Sequence, residues 1–314
     1  MQQAPLIEWP DPLIELLGFV ASFLAVGAVM FRLRVVASAA HAPDATAEDR
    51  GVLAAAAARA AAFGAAGAVV SAILFATRLP ALAERRHMTV GQLLASNVQT
   101  QLQVACIAAA LLGLVLAMQR VGFGWVLAAL GVIVNPLSAA FFGQWNRLVV
   151  PIHRLAAGAW IGTLFMLVTA IAMTLRGPLP PERRGPLVAR LVNAFSPLAL
   201  VSAAVLATFG VITAWQHLHT LSALWTTPYG ITLIVKLLAV AGVLALGAWN
   251  WRRQKPRLGT ELGAASLRRS AMGELVAAFV VLAITAILVS LPSPKPPGPP
   301  PGAGLAGQSR AQAH

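Results

Sequence analysis

Charge is scarce in this chain. Lys, Arg, Asp and Glu together make up 11% of 314 residues, against about 25% in soluble globular domains. That shortage excludes an ordinary soluble enzyme. It also excludes a disordered chain, which would be polar and charge-rich. Acids are the scarcest charges, 10 Asp+Glu against 23 Lys+Arg, and most lie between the apolar runs, so no carboxylate pair for acid–base chemistry stands out. Cysteine occurs once, at Cys106, which excludes an internal disulfide framework, a C-x-x-C redox pair and zinc-finger spacing. P-loop, G-x-G-x-x-G, H-E-x-x-H and G-x-S-x-G patterns are all missing, which removes the common nucleotide-binding and hydrolytic readings.

Apolar length is abundant. The chain is 58% hydrophobic, with a mean hydropathy of +0.77. Crossing a hydrocarbon core of ~30 Å takes about 20 helical residues. Eight stretches are long enough: 12–34, 58–77, 100–118, 122–142, 149–175, 192–215, 229–250 and 270–291. They predict an all-α, polytopic transmembrane helix bundle whose main partner is the lipid bilayer. The second stretch is dominated by Ala and Gly, including Gly64 and Gly67, which suits close helix contact in lipid. Glu8 and Asp11 are the only charges ahead of the first stretch, so a retained helix is expected rather than a cleaved signal. After Leu291 the sequence Pro-Ser-Pro-Lys-Pro-Pro-Gly predicts an extended polyproline segment and then disorder.

The net charge of +13 carries an orientation. Lys and Arg collect in cytoplasmic loops. With the N-terminus outside, 15 of the 23 basic residues fall in inner loops and seven on the outer side. The inner set is richest between 251 and 269, where Arg252, Arg253, Lys255, Arg257, Arg268 and Arg269 lie. Both termini are therefore expected outside. The same clustering between apolar runs argues against a nucleic-acid partner.

This topology sorts the histidines. His87, His153, His217 and His219 all fall at the outer face. Neutral imidazoles gathered at one end make a candidate metal site. His217 and His219 are about 200° apart on a continuous helix, so one of them faces inward unless the helix has unwound, and His217 is the preferred partner of His153. Trp160, seven residues after His153, is expected on the same face. Met166 lies about 140° away from His153, so Met166 and Met173 read as packing residues. Two charges stand out within the spans of the second half, Lys236 and Glu274, and such residues are functional candidates by default. Their depths differ, so they are not expected to pair. Asn250, Arg252 or Arg253 is the expected partner of Glu274.

The second half resembles the copper resistance protein D family of bacterial inner-membrane proteins. The resemblance rests on three stretches: Ile152-His153-Arg154-Leu155-Ala156-Ala157 through Trp160-Ile161-Gly162; Trp215-Gln216-His217-Leu218-His219 through Thr227-Pro228-Tyr229-Gly230, Lys236 and Asn250; and Leu267-Arg268-Arg269 with Glu274. It divides the chain into an N-terminal four-span half (1–147), a family-like four-span half (148–292) and a Pro-rich tail (293–314). The resemblance implies a non-enzymatic, multi-pass protein of the bacterial inner membrane that binds copper at the periplasmic face and passes it inward. Carried over, its motifs point to His153, Trp160, His217, Tyr229, Lys236 and Glu274; with the outer-face His219 and His87, the candidate metal ligands are His153, His217, His219 and His87. Gln144 stands where related proteins often carry a histidine, which removes one candidate ligand. The resemblance further implies a periplasmic copper-binding partner of the copper resistance C type, expected as a separate chain. Two histidines on separate spans also suit axial ligation of haem, so a membrane redox protein is the alternative, and a metal-free scaffold subunit is a third reading.

Overall fold

The computed structural model describes residues 9–218, 220–254 and 260–292. Eight helices are long and apolar enough to cross a membrane: Asp11–Ala40, Ala47–Arg85, Val98–Met118, Gly122–Phe142, Trp145–Arg176, Pro181–Leu218, Pro228–Arg253 and Leu262–Ser290. They are called the first to eighth spans below. No strand occurs among the described residues. The Pro-rich tail expected over 293–314 lies outside them.

Several helices begin earlier than their apolar runs, and the caps explain this. Thr46 opens the second span: the Asp49 amide donates to its Oγ1 at 3.2 Å, while the Thr46 amide donates to Asp49 Oδ2 at 3.2 Å. This reciprocal pairing satisfies donors that a bare helix end leaves open. Asn97 caps the third span in the simpler way, its Oδ1 accepting from the Thr100 amide at 2.9 Å.

The core gathers around the first, second and fifth spans and the start of the sixth. Phe31, Val35, Leu53, Leu164, Ile171, Leu187 and Leu191 are all fully enclosed there. The fifth span is the most central, with 61% of its apolar window buried, against 11% for the sixth and seventh. Apolar burial between helices gives little driving force in lipid, so close backbone approach and dispersion carry the packing. A Cβ on Gly162 would strike the Phe23 carbonyl, and one on Gly27 would strike the Gly162 backbone. Gly67 approaches the Ala21 carbonyl in the same manner, and Gly64 lies 2.8 Å from the Ala28 Cβ when given a side-chain carbon. The small residues of the second span thus do what their composition predicted.

Polar contacts tie the two ends. At one, Asp49 is wholly buried and its Oδ2 accepts from Arg183 Nη2 at 2.5 Å and Arg190 Nη2 at 2.7 Å. This fastens the first inter-span loop to the start of the sixth span. At the other, Arg78 pairs with Glu15 at 2.8 Å, and the Arg154 guanidinium lies 4.6 Å from the Phe19 ring centre. Basic residues assigned to opposite faces from the loop charges are therefore at opposite ends of the bundle.

One expectation needs correcting. The fifth span is not α-helical throughout: Gly158–Gly162 is a π-helical turn. The wider turn breaks the two-turn repeat on which Trp160 and His153 would share a face. Trp160 instead packs against the central core.

Candidate metal path

Two histidines occupy successive levels of the sixth span's inward surface. His217 sits in its last turn. Its Nδ1 lies 2.8 Å from the Thr213 carbonyl. A carbonyl can only accept, so this nitrogen carries the proton and Nε2 of the neutral ring keeps its lone pair. Metal-binding histidines are commonly oriented by such a bond to a backbone carbonyl. The imidazole stacks on Tyr229, with ring centres 5.8 Å apart and planes 10° from parallel.

The turn before the seventh span holds Tyr229 in place. Thr227 Oγ1 donates to the Ala223 carbonyl at 2.6 Å and accepts from the Gly230 amide at 3.0 Å. A side chain at position 230 would collide with the Ala223 carbonyl. The Thr-Pro-Tyr-Gly sequence is therefore a cap, a close backbone approach and an anchored, buried ring. The motif was visible in the sequence, but the stack it builds under His217 was not.

His153 lies one level further in. Its Cε1 is 3.3 Å from where a Cβ on Gly210 would stand. Gly210 and His217 are seven residues apart, on one helical face and about 10 Å apart along the axis. The Nδ1 of His153 is buried without a hydrogen-bond partner among the described residues. Lys236 is within Coulombic reach of the ring. It has no hydrogen bond or ion pair among the described residues. The seventh span packs chiefly on the eighth, and the eighth on the first, fifth and sixth.

The remaining candidates are dispersed. His87 is exposed beyond the second span in a left-handed backbone conformation (φ 55°). His219 lies outside the described residues. Gln144 follows the left-handed Gly143 (φ 70°), and its Oε1 is buried without a partner. Glu274 accepts from Asn250 Nδ2 at 2.9 Å. Asn250 is 14 residues beyond Lys236, about 21 Å along the same helix, so the two in-span charges are separate as expected. Among the described residues, no three His, Cys, Asp or Glu side chains converge on one position.

The copper resistance protein D family model matches residues 189–288. The matched segment contains His217, Tyr229, Lys236 and Glu274, while His153 precedes it on the fifth span. The chain is also 29% identical over 152 residues, 48% of its length, to the copper transport protein CutJ of Bacillus subtilis (strain 168). That match covers 26% of the relative, so this chain spans about a quarter of the length it is compared with. No solved structure matches. With its eight membrane-length helices, the chain is a multi-pass membrane protein related to copper resistance and transport proteins.

Proposed function

We propose that this protein transports copper ions rather than catalysing a reaction, taking them up at its histidine-bearing end and passing them into the bundle between the fifth, sixth and seventh spans. The observation that carries the reading is the stepped pair of imidazoles. His217 offers an Nε2 oriented by the Nδ1 bond to Thr213, and His153 lies about two helical turns further along the sixth span. Histidine nitrogen suits copper. A single ligand at each level, rather than a closed cage, keeps each stop shallow. Conduction requires sites that bind enough to admit an ion and weakly enough to release it. Lys236 supports this, because a positive charge within Coulombic reach of His153 raises the cost of a cation resting there. Tyr229 shapes the wall, and Glu274 with Asn250 marks a polar point further along.

The loop charges favour the periplasm as the histidine-bearing side, and hence import across the bacterial inner membrane. A separate periplasmic protein of the copper resistance C type is the proposed donor. The test is copper accumulation in proteoliposomes. His153→Ala and His217→Ala are each expected to reduce accumulation at least tenfold in protein that is still helical and monodisperse. Wild-type accumulation by either variant overturns its place on the path. A stoichiometric Soret band in the purified protein would favour haem instead. A copper phenotype on deletion that every histidine variant restores would favour a scaffold.

A further inference from the structure

We propose that the crevice between the second and fifth spans binds one anionic phospholipid, with its phosphate on Arg59 and Arg176 and an acyl chain along the apolar wall. This is independent of the copper path, which lies at the opposite end of the fifth span. The crevice has a volume of about 940 Å³, and Val52, Ala172 and Met173 are among the residues that line it, with Arg59, Arg176 and Glu48 around them. That is near the upper end of the roughly 300–1,000 Å³ typical of small-molecule sites.

Three arginines of this end are matched within the protein. Arg183 and Arg190 share Asp49, and Arg184 donates to the Leu179 and Gly177 carbonyls. Arg59 and Arg176 differ: neither has a hydrogen bond or ion pair among the described residues. Arg59 also stands where the second span's apolar run begins. Both arginines are exposed along the crevice and can meet a lipid phosphate without breaking a contact within the protein. Guanidinium is the side chain best matched to phosphate, through two parallel N–H···O bonds. Basic pockets between transmembrane helices recognise lipid headgroups by this chemistry. With Glu48 at the rim, the three charges sum to one positive charge. That complements phosphatidylglycerol, which carries one negative charge, better than a zwitterionic lipid.

The test is native mass spectrometry of the purified full chain from micelles containing equal amounts of phosphatidylglycerol, phosphatidylethanolamine and phosphatidylcholine. Retention of phosphatidylglycerol at least tenfold above the other two is expected. It should fall about tenfold in R59Q/R176Q and in Ala172→Trp, which fills the crevice and leaves both arginines. Should the double variant fail to fold, R59Q and R176Q singly are read instead, each with a severalfold loss. Equal retention of the three lipids overturns the proposal. So does wild-type retention by the charge variants, unchanged retention by Ala172→Trp, or bound inorganic phosphate without lipid.

Discussion

At the scale of single residues, the site depends on which nitrogen of His217 is free. The Thr213 carbonyl holds the proton on Nδ1, and the Tyr229 ring holds the imidazole plane. Aromatic contacts of this kind contribute about 0.5–1.5 kcal/mol beyond area burial. Tyr229→Leu removes the stacked face while keeping an apolar group in the pocket; Tyr229→Phe keeps the face and loses only the hydroxyl. Copper binding at the entry histidine is therefore expected to weaken roughly three- to tenfold in Tyr229→Leu and to stay near wild type in Tyr229→Phe, as read by titration of the purified protein. Equal loss in both would assign the role to the hydroxyl. The sequence alone marked His217 and Tyr229 separately, because each belongs to a recognisable motif. Their stacking depends on a turn that brings the start of one span back onto the end of another, and no residue pattern encodes that distance.

At the scale of elements, the start of the second span is joined to the start of the sixth by charge. Asp49 is fully buried, and the Arg183 and Arg190 side chains are 31% and 14% exposed. Breaking a buried pair by removing one partner costs about 3–5 kcal/mol, because the other partner stays buried. The partial exposure of Arg183 puts Asp49→Ala near the lower end, at about 3 kcal/mol, seen as a lower unfolding temperature in detergent. Arg183→Gln is expected to cost less than Arg190→Gln, since water already reaches Arg183. Sequence reading placed these arginines in one inner loop and passed over Asp49. An aspartate three residues after a threonine announces a helix cap; that the cap also meets two guanidinium groups from 134 and 141 residues away is a tertiary fact.

At the scale of the whole molecule, the bundle is organised around the crossing of the first and fifth spans. The crossing is close because Gly27 and Gly162 face each other's backbones. Gly162→Val places branched carbons where the Phe23 carbonyl lies and is expected to prevent assembly or to lower the yield of monodisperse protein sharply. Gly273→Ala is the control: nothing lies within 4 Å of its added carbon. It should be neutral or stabilising by up to about 1 kcal/mol, since alanine favours the helix. Size-exclusion profiles and thermal unfolding of the two variants check this. If both are equally harmless, the crossing is not held by close approach.

The helix count, the all-α class, the separation of Lys236 from Glu274 and the use of small residues in the second span were determined by the sequence. Each rests on quantities that accumulate along one chain segment: apolar length, residue size and helical rise. The depth of His153 below His217, the displacement of Trp160 into the core by a π-helical turn, and the burial of Asp49 were decided only by the tertiary structure. Each depends on how far one helix slides along another and how closely they cross. Those distances are set by many backbone contacts together, most of them between residues whose identity, taken singly, says only that they are small.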